Sequence, residues 1–155
     1  MEAANPHPRP ETGSPPEVLR GLVTGLHHVA VAVRDLEEAR NFYSQALGLN
    51  LGEPEFVQDQ GVNVVVLQAG STRIELVAPA REDSPVARFL EKRGPGLHHL
   101  AWKVDSVEQA IGQLAQQGVR LIDEAPRPGS HQTTIAFVHP SATGGVLMEL
   151  VQDPD

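Results

Sequence analysis

One six-residue stretch occurs twice, with a single change. Gly25-Leu26-His27-His28-Val29-Ala30 returns 71 positions later as Gly96-Leu97-His98-His99-Leu100-Ala101. The same offset aligns Val33 with Val104, Leu36 with Val107, Glu37 with Glu108 and Ala39 with Ala110. A second pair, Arg73-Ile74-Glu75-Leu76 and Leu147-Met148-Glu149-Leu150, matches at an offset of 74. Landmarks repeated in the same order at nearly equal spacing point to a duplicated unit. Two copies are too few for a solenoid, so the pattern predicts two modules related by a pseudo-twofold axis.

Each unit has the same predicted element order. Residues 26–33 alternate in polarity and end at a polar turn, which reads as a strand. Residues 36–46 place Leu36, Ala39, Phe42, Tyr43 and Ala46 at helical spacing, with Asp35 as N-cap, Glu38 three residues on and Gly48 as the stop. Strands are predicted at 50–58, 62–69 and 72–78. The second unit gives a strand at 97–104, a helix at 106–117 closed by Gly118, and strands near 119–123, 132–138 and 145–151. The organisation is a first βαβββ module over 22–78, a linker over 79–95 with a short helix at 86–92, and a second βαβββ module over 96–152. Residues 1–21 contain five prolines and few apolar side chains. Such a segment cannot offset its ordering entropy, so it is expected to be a disordered tail, and His7 is left out of any site.

The duplication brings chemistry with it. One histidine of each His-His doublet falls on the first strand of a module, and Glu75 and Glu149 fall on the last strands. Under a pseudo-twofold, two imidazoles and two carboxylates converge across the axis, a mixed nitrogen and oxygen set for a divalent ion with open positions for substrate. A carboxylate inside Ile74-Glu75-Leu76 or Met148-Glu149-Leu150 needs a partner, because an unpaired buried charge is costly. Strand side chains alternate faces, so only one histidine of each doublet points inward, and the pattern leaves open which. His131 and His139 have no repeat partner. A lone strand histidine is more often structural than a ligand; four residues duplicated in register make the stronger case.

Composition removes other classes. The chain has 155 residues and no cysteine, so disulfides and thiolate chemistry are absent. A chain of this length buries roughly two-thirds of its unfolded surface and needs no covalent staple. Twenty acidic and twelve basic residues give a net charge of -8, which argues against nucleic acid and anionic membranes as partners. No apolar run approaches the ~20 residues of a membrane span, and no secretory leader is visible; a cytoplasmic location is expected.

Residues 22–152 resemble the vicinal oxygen chelate superfamily, which includes glyoxalase I, extradiol dioxygenases and methylmalonyl-CoA epimerases. Three stretches are similar to the epimerases. They are Gly25–Val33; Ser84-Pro85-Val86-Ala87-Arg88-Phe89-Leu90 leading to the second His doublet; and Phe137-Val138-His139-Pro140 with Gly144-Gly145-Val146-Leu147-Met148-Glu149-Leu150. The resemblance implies an α+β fold in which two βαβββ modules form a curved, cup-like mixed sheet around a metal site. It implies that the second histidine of each doublet binds metal, giving His28, Glu75, His99 and Glu149 as ligands. It implies a divalent cofactor, cobalt ahead of manganese, nickel, zinc or magnesium. It also implies an acyl-CoA substrate, with Gly129, Ser130 and His131 in a substrate-side loop, and it allows a homodimer.

The implied reaction interconverts (2R)- and (2S)-methylmalonyl-CoA through an enolate that the metal stabilises, with Glu149 as the first catalytic base and Glu75 serving the opposite face or leaving that role to a water. Some members carry a second catalytic Glu three residues after the glycine matching Gly61; here that position is Val64. The competing readings are a glyoxalase I-type lactoylglutathione lyase, which would use the same ligand set, an extradiol dioxygenase, and a non-enzymatic small-molecule binding protein of the same fold. The His-Pro and Gly-Val-Leu-x-Glu-Leu ending favours the epimerase.

Overall fold

Strand alternation decides what faces the inside of this molecule. The computed structural model describes residues 22–155, so the tail expected over 1–21 lies outside the described residues. The strands are β1 (Gly25–Ala32), β2 (Asn50–Leu51), β3 (Glu55–Val57), β4 (Val62–Ala69), β5 (Thr72–Pro79), β6 (Gly96–Lys103), β7 (Arg127–Pro128), β8 (Thr134–Val138) and β9 (Leu147–Gln152). The helices are α1 (Leu36–Asn41), α2 (Pro85–Arg93) and α3 (Val107–Gln116). All strands join one mixed sheet in the order β2-β4-β5-β1-β6-β9-β8-β7, with β3 also paired to β4.

The order is symmetric about its centre. β1 and β6 run antiparallel, and each takes the last strand of its own half as a parallel neighbour: β5 beside β1 and β9 beside β6. The sheet curls into a half-barrel, because its two far ends touch. Glu55 on β3 accepts a hydrogen bond at 2.8 Å from the His131 amide, which follows β7. The fold is the α+β arrangement that the repeat and the resemblance predict.

Side chains of opposite parity go to opposite faces. On the outer face Leu36, Ala39 and Tyr43 pack on Val65, Leu67 and Leu76, while Val107, Ala110 and Ile111 of α3 pack on Ala136, Val138 and Leu150. On the inner face lie Ala32, Val62, Val64 and Val77 in one half and Ala101, Ile135, Phe137 and Val151 in the other. α2 closes one end by placing Val86 and Leu90 on the first of these clusters. Asp35, Ser84 and Ser106 cap the three helices, each accepting the amide three residues on. Gly48 and Gly118 follow the helical segments at φ of 67° and 75°, in the left-handed region that stops a helix.

Four elements depart from the sequence pattern, one of them β7, a short strand where none is expected. The strand expected over 50–58 is two short strands, because Gly52 and Pro54 interrupt it and proline has no amide to donate. The strand expected near 119–123 is a single bridge between Leu121 and Val138. There the Asp123 carboxylate, not a backbone carbonyl, accepts the Phe137 amide at 2.8 Å and ends the ladder. The helix expected over 36–46 widens into a π-turn at Phe42–Ala46. The wider turn shifts the phase of the apolar stripe, and Phe42 is left 56 % exposed. Among the described residues no helix is long and apolar enough to cross a membrane.

Candidate metal centre

Register places the four singled-out residues around two alanines. Across the central pair, His28 stands opposite Ala101 and Ala30 opposite His99. Glu75 lies beside Ala30, and Glu149 lies beside Ala101. Two adjacent rows result, Glu75–Ala30–His99 and His28–Ala101–Glu149, each a copy of the other under the twofold. Ala30 and Ala101 are fully buried. Their small side chains leave the space above them to the four larger ones.

The polar atoms converge. The Nε2 atoms of His28 and His99 are 3.1 Å apart. Glu149 Oε2 is 2.6 Å from His99 Nε2 and 3.3 Å from His28 Nε2, while Glu75 Oε2 is 2.7 Å from His28 Nε2. One ligand atom each from His28, His99 and Glu149 lies within 4.8 Å of the others, close enough to hold one ion, whereas Glu75, the fourth expected ligand, falls outside that set and meets His28 alone of the two imidazoles. All four residues are buried, at 3 to 5 % exposure. Glu75, His99 and Glu149 border a cavity of about 20 Å³ whose other walls include Val62, Val64 and Val77. That volume suits one water-sized occupant. Val64 is thus an apolar wall of this cavity.

The electrostatics call for a cation. Burial alone would lower the His28 pKa, but its hydrogen bonds to Glu149 and Glu75 more than offset this and raise it to about 9. Burial would raise Glu149, but the charges and hydrogen bonds of His99 and His28 hold it at about 2. Burial would also raise Glu75, and its hydrogen bond to His28 keeps it below the ordinary carboxylate value. Two buried carboxylates therefore keep a proton on an imidazole well above its usual range. A divalent ion satisfies the same demand with more charge, and the donor set fits it: two imidazole nitrogens and carboxylate oxygens.

The loop singled out after β7 reaches the site through one residue. The Ser130 hydroxyl donates to Glu75 Oε1 at 2.8 Å. The Gly129 amide is already spent on Thr133 O at 3.0 Å, so it is not a free donor for a ligand. His131 is not at the centre. It takes φ of 53° and Gln132 takes 61°, a strained left-handed pair. The carboxylate of Glu55 holds the His131 amide, and the Thr133 hydroxyl donates to Ser130 O at 2.7 Å, which together fix the turn. His139 accepts the Ser141 amide and caps a turn.

Sequence reasoning missed two sets of contacts. Glu55 and Arg127 tie the halves together across the mouth of the cup; Arg127 lies 2.6 Å from Asp59. His27 and His98 sit behind the site pair, each with Nδ1 2.8 Å from Nδ1 of the next histidine. The signal for the second set was visible, since the doublet itself is repeated. The first set had none, because ion pairs between distant loops leave no local pattern.

The chain is similar to known proteins over most of its length. Residues 27–137 match the family described as Glyoxalase/Bleomycin resistance protein/Dioxygenase superfamily. The mitochondrial methylmalonyl-CoA epimerase of Bos taurus is 44 % identical over 128 residues, covering 82 % of this chain and 73 % of its own. The crystal structure of methylmalonyl-CoA epimerase from Mycobacterium tuberculosis superimposes with a TM-score of 0.84 at 42 % identity, covering 88 % of this chain and 92 % of that one. A structure of methylmalonyl-CoA epimerase in complex with methylmalonyl-CoA and NH4+ superimposes at 0.81 and 34 % identity, covering 84 % and 95 %.

Proposed function

We propose that this chain, which belongs to the Glyoxalase/Bleomycin resistance protein/Dioxygenase superfamily, is a metal-dependent epimerase acting on methylmalonyl-CoA. The observation that carries the reading is the convergence of His28 and His99 Nε2 at 3.1 Å between two buried carboxylates. The likeness to named epimerases supports the substrate class. A larger cavity of about 500 Å³ borders the same His99 and is lined in part by Phe89, Arg88, Lys92 and Arg93. Its size suits a ligand far larger than an ion, and its cations suit a phosphorylated one.

The proton to be moved lies between a thioester and a carboxylate. A divalent ion held by His28, His99, Glu149 and Glu75 would supply Lewis-acid stabilisation for the negative charge that develops on the substrate. Glu149, ionised in its buried site, accepts the proton from one face. Glu75, on the matching position of the other half, faces the opposite side and would pass on a proton drawn from water while Glu149 gives its own back to solvent; Ser130 donates to the Glu75 carboxylate and orients it. Val64 leaves no third carboxylate on that wall.

Exchange of solvent deuterium into substrate by Glu75→Gln and Glu149→Gln tests the roles. Loss of epimerisation with one-sided exchange is expected in each. Full epimerisation by a metal-loaded Glu75→Gln would overturn its assignment. The same ligand set serves a glyoxalase I-type lyase, so the metal-loaded protein is to be assayed in parallel on methylmalonyl-CoA and on the glutathione–methylglyoxal hemithioacetal. Turnover of the second alone would replace this reading.

A further inference from the structure

The metal reading leaves the first histidine of each doublet without a task, and the contacts of His27 give it one. An imidazole can offer its Nε2 lone pair only when, in the neutral ring, the proton is on Nδ1. His28 Nδ1 lies 2.8 Å from His27 Nδ1, so one proton sits between them. For that proton to belong to His28, His27 Nδ1 must accept it. A neutral His27 then carries its own proton on Nε2. That nitrogen is 2.8 Å from Asp153 Oδ1, and an ionised carboxylate only accepts.

A second contact pulls the other way. Arg73 Nη1 is 2.9 Å from the same His27 Nε2 and can only donate. If Arg73 wins, His27 donates from Nδ1 to His28, and His28 carries its proton on Nε2, where it closes onto Glu75. The two partners of His27 thus select opposite tautomers of His28, and only the one favoured by Asp153 frees the Nε2 lone pair. Lys103 Nζ, 2.8 Å from Asp153 Oδ2, holds the carboxylate in place.

The two halves differ here. His98 and His99 repeat the Nδ1 contact at 2.8 Å, but His98 faces the Phe89 ring edge-on at 4.8 Å between centroids. At the offset of 74, the position matching Asp153 is Pro79, so the duplication did not copy the carboxylate.

We propose that His27 and Asp153 form a positioning pair that sets the tautomer of His28 and presents its Nε2 to the metal. This rests on the metal reading above, and the experiment separates the two. Cobalt affinity of the full chain is measured by competition with a chelator for the native sequence, His27→Phe, His27→Asn and Asp153→Ala. The asparagine amide oxygen stands where His27 Nδ1 stands and still accepts. His27→Phe is expected to weaken cobalt binding about 10–100-fold, the usual cost of losing such a partner. His27→Asn is expected to recover most of that loss, and Asp153→Ala to fall between. Nitrogen-15 NMR of the zinc-loaded native protein is expected to show His28 protonated at Nδ1.

If the native chain binds neither ion, the metal reading fails and takes this one with it. If the native chain binds and His27→Phe binds equally, or if Asn rescues nothing, the positioning role alone falls. Should His27→Phe fail to fold, Asp153→Ala decides: native affinity there overturns the proposal.

Discussion

In the metal-free protein a proton on His28 stands where the ion's charge would be, and this makes metal affinity depend on pH in a calculable way. His28 is raised to about 9, so near neutral pH an incoming ion must displace one proton from it. One proton released per ion means about tenfold in apparent affinity, or about 1.4 kcal/mol, for each pH unit. Binding should therefore strengthen about tenfold from pH 7 to pH 8 and level off above about 9. Folding of the metal-free chain should slope the other way. A raised histidine contributes stability that is present below its ordinary 6.5 and is lost as pH rises through about 9. The depressed Glu149 contributes above its ordinary 4.5 and loses that contribution as pH falls through about 2. Metal-free melting temperature should thus decline above neutrality while cobalt affinity climbs. Chelator competition at half-unit steps gives the affinity, and calorimetry in two buffers of different ionisation enthalpy counts the protons. An affinity that ignores pH, with no proton released, would refute the argument that the buried carboxylates hold that proton.

Three further substitutions probe the geometry. Ala101→Leu places extra carbons in the row between His28 and Glu149, and should cost about 1–3 kcal/mol from overpacking and abolish stoichiometric metal binding; one cobalt per chain at native affinity would contradict the two-row arrangement. Gly129→Ala puts a Cβ 2.6 Å from Ile135 Cγ2 and 2.6 Å from Thr133 Oγ1, so the urea midpoint should fall by the equivalent of about 1–3 kcal/mol; an unchanged midpoint would mean that the loop gives way freely. Ser130→Ala removes the hydroxyl donor from Glu75, a hydrogen bond to a charged group, and should raise the acid limb of the pH–rate profile on methylmalonyl-CoA; an unshifted profile would remove Glu75 from the titrating steps.

The legible part of the molecule is the part that was duplicated. Matching landmarks singled out Glu75 and Glu149, narrowed the histidines to one of each doublet, and predicted one strand and helix order for both halves. Choosing between His27 and His28 was beyond the alternation, since either parity gives a plausible strand; the resemblance supplied that choice. What stayed hidden breaks the symmetry. Asp153 closes on His27 from 126 positions away, and Glu55 reaches the His131 amide from 76. Neither carboxylate has any local periodicity to announce it. The strand missing near 119–123 is hidden for the same reason, because the Asp123 side chain replaces a backbone acceptor that the sequence pattern assumes.

The symmetry itself bears on the proposed reaction. An epimerisation through a planar intermediate is nearly its own reverse, so it needs a proton carrier on each face at comparable reach. A rotation axis through the site supplies such a pair without separate invention, because a carboxylate placed by one module on its last strand is placed by the other on the opposite side. The departures from symmetry then set the two carriers apart. Glu149 meets both imidazoles, at 2.6 and 3.3 Å, whereas Glu75 meets one imidazole and the Ser130 hydroxyl. A site of this kind runs both directions through unequal bases; the fixed equilibrium makes kcat/KM for epimerisation fall by the same factor from either epimer, so the inequality is read instead in solvent-deuterium wash-in, where each glutamate variant should exchange one epimer faster than the other. Equal wash-in from both epimers in both variants would mean that the two carboxylates are interchangeable, and that water rather than Ser130 sets the proton affinity of Glu75.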